Sequence, residues 1–288
     1  MPAERDLAPS LYLVATPIGN LEDVTLRALR VLKQCDLIAC EDTRQTQKLL
    51  NHFGIEKPTI SYHEHNEASR AAELIEKLAQ GTRIAVVSDA GMPGISDPGF
   101  RVVSLAIEKG IPVVPIPGPA AFVAALVASG LPVESFAFNG FLPPKSGARR
   151  RMLERINESL QTEIFYEAPH RIRETLADIV ATLGSHRSIV VARELTKIHE
   201  EFLRGTVAEV RGELAGRDRV RGEFVLLVAP AAADAPIRSS HKVSERIAQM
   251  QATDGIDEKE ALKRLARELG QSKSDVYREL QRERARRR

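Results

Sequence analysis

Short apolar runs alternate with amphipathic stretches along the first part of the chain, and this alternation predicts strands that alternate with helices. The predicted strands are 11–15, 37–40, 59–60, 84–88 and 112–116. The predicted helices are 24–33, a segment ending near residue 53, 67–79, 100–109 and 120–129. Elements in this order and at this spacing are typical of βαβ units, so we expect a mainly parallel sheet.

The pattern changes after Pro132. Strands are predicted at 136–141, 162–167, 188–194, 200–205 and 222–229, with helices at about 148–160, 170–182 and 206–214. The strands after Ser188 follow each other closely, which indicates antiparallel or mixed pairing. The fold class predicted from the whole pattern is therefore α/β, with a mainly parallel first sheet and a mixed second sheet.

The C-terminal segment differs from both of these parts. Its first predicted helix carries Ala261, Leu262, Leu265 and Leu269 on one side and stops at Gly270. Ser272 is a candidate cap for a second helix, whose apolar side holds Val276, Tyr277 and Leu280. Two short helices about a glycine turn are typical of a helix-turn-helix, although a hairpin that only packs or dimerises fits the pattern as well. The predicted domains are 1–118, 119–232 and a basic helical tail at 236–288, after an Ala-rich linker at 230–240.

Charge separates the tail from the rest of the chain. The net charge of the 288 residues is +2. Residues 236–288 hold 14 Lys and Arg against 9 Asp and Glu, while residues 1–235 hold 27 against 30. Exposed basic charge binds phosphates regardless of sequence, so the tail is a candidate nucleic-acid contact. The run at 149–151 is also basic, and we expect it to form an exposed helix face.

The composition favours a cytoplasmic protein that is not embedded in a membrane. The polar N-terminus has no apolar signal region. Residues 110–133 lack charge, but five prolines and several glycines interrupt them, whereas a spanning helix needs about 20 continuous apolar residues. Cys35 and Cys40 are too few for a disulfide framework and match no common zinc spacing, so we expect free buried thiols.

Polar and glycine-rich loops follow the strands of the first domain, where α/β sheets bind their ligands. The segment 88–99 combines glycines, prolines and acids, and it lacks the Gly-Lys-Ser/Thr end of a phosphate-binding loop. Glu41, Asp42 and Arg44 follow another strand, where helix capping with a surface ion pair is the simpler interpretation. His63 and His65 lie on one side of an extended segment, but no third ligand is identifiable, so no metal site is predicted.

Several motifs in a fixed order resemble one family. They are LVATPIGNLEDVTLRAL, CEDTR, VVSDAGMPGISDPG, PIPGPAA, FYEAPHRI, ARELTKIHEE and RGEFVLLV. Together they cover about residues 11–230 and are similar to the bacterial ribosomal RNA small-subunit methyltransferase I family. Members are 16S rRNA cytidine 2′-O-methyltransferases of the tetrapyrrole methylase superfamily. The basic tail is similar to the helix-turn-helix extension of that family.

The resemblance implies a homodimer of two-domain subunits with S-adenosylmethionine held between the domains. It also implies 16S rRNA, in the small ribosomal subunit, as the substrate. The cofactor-binding residues that it implies are Ile18, Ala90, Gly91, Met92, Ile95, Pro119, Ala120, Ala121, Glu167 and Leu195. At Ala120 the family often has a hydroxyl residue, so the cofactor contact here would come from the backbone.

The implied reaction is in-line attack of a ribose 2′-oxygen on the sulfonium methyl, which the protein promotes through alignment. Because the 2′-hydroxyl is a weak acid, a base or a positive charge near it is expected. The candidate catalytic residues are Glu41, Asp42, Arg44, His65, Asp97 and Lys197, with Arg44 as a clamp for a phosphate or carboxylate. Two alternatives stay open, namely a methylase of small tetrapyrroles or corrinoids and a non-catalytic regulator that binds nucleic acid through the tail.

Overall fold

A computed structural model describes residues 6–231, 243–268 and 273–286, and the chain falls into two compact units. Unit 1 comprises the chain up to Ala124 together with Glu194–Glu200. Unit 2 comprises Ala125–Arg193 and the chain from Glu201 onward. The short segment Glu194–Glu200 therefore belongs to unit 1, although the strands on either side of it belong to unit 2.

Unit 1 is built on a five-stranded parallel sheet. Its strands are β1 (Leu11–Val14), β2 (Leu37–Cys40), β3 (Thr59–Ser61), β4 (Ile84–Val87) and β5 (Val113–Ile116). The order across the sheet is β3-β2-β4-β1-β5. All four residues of the central strand β4 are buried, as expected for a strand that helices cover on both faces.

The helices of unit 1 begin and end where the sequence predicts them, within a few residues. They are α1 (Leu26–Gln34), α2 (Thr43–His52), α3 (Glu67–Ala79) and α4 (Phe100–Glu108), and they are followed by α5 (Ala121–Ser129), which begins in unit 1 and ends in unit 2. The Thr25 hydroxyl caps α1 by accepting from the Ala28 amide at 3.0 Å. Cys35, just before β2, and Cys40, the last residue of β2, are buried free thiols in one hydrophobic cluster, which confirms that prediction.

Unit 2 contains a mixed five-stranded sheet, which confirms the predicted fold class. Its strands are β6 (Phe136–Phe141), β7 (Thr162–Glu167), β8 (Ser188–Arg193), β9 (Glu201–Thr206) and β10 (Phe224–Val228), in the order β6-β7-β10-β8-β9. The β6–β7 pair is parallel, and the other three pairs are antiparallel. Three helices pack with this sheet, namely α6 (Ser146–Arg155), α7 (Ile172–Leu183) and α8 (Val207–Ala215).

The tail contains three described helices, whereas the apolar pattern predicts two. They are α9 (Val243–Asp254), α10 (Glu258–Glu268) and α11 (Lys273–Arg286), and they share a core of buried side chains that includes Ile247, Leu265 and Leu280. The apolar side chains of α9 are too sparse to mark it in the sequence. Gly270 and Ser272, the predicted stop and cap, lie outside the described residues, as does most of the predicted linker. No described helix combines the length and apolarity needed to cross a bilayer.

Candidate active site

The ends of β1 and β4 are joined by a short backbone bridge. The Thr16 amide donates to the Gly91 carbonyl at 2.9 Å, and the Gly91 amide donates back to Thr16 at 3.1 Å. The Thr16 hydroxyl donates to the Ser88 carbonyl at 3.0 Å, and the Ser88 hydroxyl donates to the Gly91 carbonyl at 3.1 Å. These bonds fix the first turn of the loop 88–99 against the end of β1.

Gly91 is the point where three loops meet. Its φ of +88° is one that L side chains rarely adopt. A Cβ atom at this position would lie 3.4 Å from Ile18 Cγ2 and 3.6 Å from the Pro119 carbonyl oxygen. The structure thus brings together three of the predicted cofactor residues, from the loops after β1, β4 and β5. Of the other predicted residues in these loops, Ala90 and Ile95 are exposed, whereas Met92, Ala120 and Ala121 are half-buried.

Gly19 marks a second close approach, between the first loop and the segment Glu194–Glu200. A Cβ atom on Gly19 would lie 3.1 Å from the Leu195 carbonyl oxygen and 2.5 Å from Lys197 Cγ. Leu195 is buried, and Lys197 Nζ forms an ion pair with Glu194 at 2.8 Å. The predicted residues Leu195 and Lys197 therefore lie next to the loop that carries Ile18.

Strained backbone is concentrated in these loops. Three non-glycine residues of the described chain have positive φ, namely Ser96 at 59°, Glu194 at 49° and Thr196 at 64°. For a β-branched residue such as Thr196 this conformation is an outlier that the surrounding structure has to impose. Strain of this kind clusters at functional sites. The sequence carries no signal for it, because neither Glu nor Thr favours this conformation.

Carboxylates follow β2 and β4 on the same edge of the sheet. The Asp42 amide donates to Asp89 Oδ1 at 3.2 Å, which ties the two strand ends together. Burial, with the Glu41 charge next in importance, raises the pKa of Asp97 to about 6. Burial also raises the pKa of Glu41, and the charge of Asp89 adds to this effect. The structure thus groups the predicted residues Glu41 and Asp97 with Asp89, which the sequence analysis did not single out.

Arg44 and Asp42 form the exposed ion pair that the simpler interpretation anticipates. Arg44 Nε and Nη2 donate to the two Asp42 carboxylate oxygens at 3.1 and 2.9 Å, and Asp42 also caps α2. The pKa of Asp42 is lowered by these bonds. Arg44 also lines a shallow surface groove of about 480 Å³ with polar side chains of α2.

His63 occupies a defined position in unit 1, whereas the predicted His65 is exposed. The Asn66 carboxamide oxygen accepts from the His63 amide at 2.9 Å, so its nitrogen faces His63 Nε2, at 3.3 Å. Because the Asn66 nitrogen can only donate, His63 Nε2 accepts this hydrogen bond. The ring proton of the neutral imidazole is then on Nδ1. Nδ1 is buried and has no hydrogen-bond partner among the described residues. The sequence considered His63 only as a metal ligand and chose His65 as the catalytic candidate, whereas in the structure it is His63 that has a buried ring nitrogen without a described partner.

Glu167 is the predicted cofactor residue that lies in unit 2. Its buried carboxylate accepts from the Thr175 hydroxyl at 2.6 Å, from its neighbour's amide at 2.8 Å, and pairs with Arg171 at 2.8 Å. These bonds secure the turn between β7 and α7. Nowhere in the described parts of the chain do three His, Cys, Asp or Glu side chains gather as a metal site would require.

Comparisons with known proteins agree with this arrangement of loops and sheets. Residues 10–211 match the family model for tetrapyrrole (corrin/porphyrin) methylases. The chain is 50% identical to ribosomal RNA small subunit methyltransferase I of Halalkalibacterium halodurans, over 95% of both chains. It is 46% identical to the protein of the same name from Mesorhizobium japonicum, over 96% of this chain and 92% of that one.

A solved structure gives the same result for the fold. The structure of the methyltransferase CobJ superposes with a TM-score of 0.59 at 20% identity, over 77% of this chain and 95% of that chain. At this identity the likeness concerns the fold alone, whereas the family match and the sequence relatives cover most of the chain. The chain therefore belongs to the tetrapyrrole methylase family and, within it, to the ribosomal RNA small subunit methyltransferase I group.

Proposed function

We propose that this protein transfers the methyl group of S-adenosylmethionine to the ribose 2′-oxygen of a cytidine in 16S rRNA of the small ribosomal subunit. The observation that carries the proposal is the identity of about half of all residues, over nearly the whole chain, with relatives named ribosomal RNA small subunit methyltransferase I. The basic tail supports an RNA substrate, because it adds phosphate affinity to a slightly acidic body.

The residues around Gly91 fit S-adenosylmethionine. The loops carrying Ile18, Gly91 and Pro119 form a cradle of backbone and small apolar groups, and a side chain at Gly91 would intrude on it. The Thr196 hydroxyl oxygen is buried and has no hydrogen-bond partner among the described residues, so a ligand atom could satisfy it. We assign cofactor binding to the ten residues named in the sequence analysis. The role of Glu167 in this assignment is to hold the turn between β7 and α7, since its carboxylate is already bonded within the protein. When bound, the cofactor supplies an electrophilic methyl group on a positively charged sulfur.

The chain itself has to orient the ribose and accept the proton of the 2′-hydroxyl. Of the six candidate catalytic residues, Asp97 is the best proton acceptor by its surroundings. Its pKa of about 6 leaves it ionised at neutral pH and makes it a better base than an ordinary carboxylate. Glu41 raises that pKa through its charge, and the buried His63 Nδ1 is a donor that can orient a substrate oxygen.

The remaining candidates are assigned supporting roles. Lys197 is held by Glu194 beside the first loop, where its charge can stabilise developing negative charge on oxygen. Arg44, with 87% of its side chain exposed, is suited to contact a phosphate, and Asp42 orients it. His65 is exposed and is assigned a substrate contact rather than proton transfer.

A second copy of this chain is the proposed partner in solution. Phe100 and Ile107 on α4 are 80% and 64% exposed, and Val127 on α5 is 71% exposed. Phe100 and Ile107 lie two turns apart on the same side of α4, and exposed apolar side chains grouped in this way are typical of surfaces that are covered in an assembly. Light scattering on the purified protein measures the assembly directly, and a mass of about 32 kDa, that of one chain, would contradict the dimer.

The deciding experiment is methyl transfer from tritium-labelled S-adenosylmethionine to small subunits, to naked 16S rRNA and to tetrapyrrole precursors. We expect label in the rRNA, and nuclease digestion with mass spectrometry should identify 2′-O-methylcytidine. Label in the tetrapyrrole alone would favour a small-molecule methylase. Tight RNA binding without any turnover would favour a non-catalytic regulator.

A further inference from the structure

The loop after β6 and the helix α6 carry the densest positive charge of unit 2 outside the tail. Residues 143–155 include five Lys or Arg and one Glu. These residues separate into a buried group and an exposed group. The buried group holds the segment in place, and the exposed group presents positive charge to solvent. Together they have the features of a binding surface.

Arg149 is the buried member, with a side chain only 1% exposed. Its Nε donates to Asp178 Oδ2 at 2.7 Å, and its Nη1 donates to the Pro144 carbonyl at 3.3 Å. Asp178, itself buried, also accepts from Arg150 Nε at 2.6 Å and from the Ser146 hydroxyl at 3.0 Å. A buried ion pair contributes little net stability, but it fixes the geometry of the segments it joins.

The loop between β6 and α6 is held at two carbonyl oxygens. Arg149 binds that of Pro144, and Arg171 donates to that of Leu142. Arg171 is in turn paired with the buried Glu167 at the end of β7, the parallel neighbour of β6. Lys145, the next residue, is therefore presented from a rigid support at the edge of the unit 2 sheet where β6 and β7 end.

The other four are exposed. Arg150 is paired with Asp178, whereas Lys145, Arg151 and Arg155 form no ion pair with a described residue. Arg151 extends back toward the start of the helix, because a Cβ on Gly147 would lie 3.9 Å from its Nη1. Arg155 lies one turn further along the same side of α6, about 6 Å along the axis. Elsewhere in unit 2 arginines such as Arg193 and Arg217 are neutralised by Glu201.

We propose that a surface made of Lys145, which directly precedes α6, and of Arg151 and Arg155 on the helix binds the phosphate backbone of the RNA substrate, with the Arg149–Asp178 pair holding α6 in place. The proposal rests on the RNA substrate of the proposed function and names a surface in unit 2 that recognises it. Charge complementarity supports RNA as the occupant, because three exposed cations without carboxylate partners among the described residues match a polyanion better than a neutral or mixed surface.

The test replaces all three residues by glutamine and measures binding of purified small subunits to the full-length protein between 50 and 300 mM KCl. A matched control replaces Arg27, Lys33 and Lys109, three exposed cations of unit 1. We expect the α6 variant to bind roughly tenfold or more weakly at 0.1 M salt, and the salt slope to fall by about 2. The control should retain most of the affinity. Both variants should bind S-adenosylmethionine like the unmodified protein and keep its thermal stability.

Unchanged affinity and salt slope in the α6 variant would overturn this inference, as would equal losses in the control. A loss of binding to anionic lipid vesicles without any loss of subunit binding would assign this surface to membrane binding and overturn the inference as well. Failure of the proposed function is distinguishable from these outcomes. In that case the unmodified protein would transfer no label to rRNA, whatever the variants bind.

Discussion

At the scale of single residues, Asp97 and Gly91 contribute to the candidate site in different ways. Asp97 is a titrating group whose surroundings disfavour its charged form, and Gly91 is a position where the absence of a side chain is the useful property. Residues held in states that reduce stability are typical of functional sites, where the cost is offset elsewhere in the fold.

Replacement Asp97→Asn should abolish most of the activity and stabilise the protein above pH 6. The pKa of Asp97 is raised from 3.8 to about 6 in the folded state, so stability relative to the unfolded chain is lost as pH rises through this range. Removing the charge should add about 1 kcal/mol to the free energy of unfolding at pH 7.5. This is well below what 1.36 kcal/mol for each unit of pKa shift would give, because the carboxylate is partly solvated. Urea unfolding at pH 7.5 and pH 4 measures the gain, which should vanish at the lower pH.

The same residue governs the pH dependence of turnover. If Asp97 accepts the proton, kcat/KM should fall as the pH drops below about 6, and this decline should be absent from the residual activity of Asp97→Asn. Full turnover in Asp97→Asn would eliminate it as the base and direct attention to Glu41.

Replacement Gly91→Ala should weaken S-adenosylmethionine binding, because the new methyl group would lie 3.4 Å from Ile18 inside the proposed cradle. Gly81→Ala is the matched control, with a φ of +91° against +88° and no atom within 4 Å of the added Cβ. Both changes should cost roughly 1 kcal/mol of stability through backbone strain. Calorimetric titration should show lost affinity for the first variant alone, and equal affinities would argue against the cradle.

At the scale of secondary structure, most elements form where their local pattern predicts, and the exceptions have identifiable causes. Helix α3 spans Glu67–Ala79 and β7 spans Thr162–Glu167, both as predicted, because apolar periodicity and flanking turn residues specify them locally. The expectation that the basic run at 149–151 is exposed was wrong for Arg149. Its burial depends on Asp178, which lies 29 residues away in sequence on α7.

Replacement Arg149→Gln should destabilise unit 2 by about 3 kcal/mol, because it leaves part of the charge of Asp178 buried without its partner. Arg151→Gln, two residues further along the same helix and exposed, should change stability by less than about 0.5 kcal/mol. Thermal unfolding of the two variants provides the comparison. Similar melting temperatures would mean that the buried pair does not hold α6.

At the scale of the whole molecule, the near-neutral net charge is an average of unlike parts. The tail has its own buried core among α9, α10 and α11, and Arg246 of α9 lies 3.9 Å from Glu209 of α8. A small helical unit with its own core and an excess of basic residues is suited to contribute affinity for RNA, separately from the chemistry.

Deletion of residues 236–288 should therefore weaken binding of small subunits and reduce its salt dependence, while S-adenosylmethionine affinity stays nearly unchanged. Filter binding over a salt series and calorimetry with the cofactor measure the two effects on the same preparation. Loss of cofactor binding in a truncated protein that is still folded by circular dichroism would contradict this division of roles.

The sequence alone determined the order of strands and helices in the two α/β parts, although not the first helix of the tail, and it determined the family, since these depend on local periodicity, turn residues and motifs read in order. It also identified the loops at the strand ends. Only the tertiary structure decided which side chains in those loops meet. It grouped Asp97 with Glu41 and Asp89, and it placed His63, rather than His65, in contact with Asn66. It also brought the segment Glu194–Glu200 into unit 1, with strained backbone at Thr196. These outcomes depend on burial and on contacts between residues distant along the chain, which a local pattern does not encode.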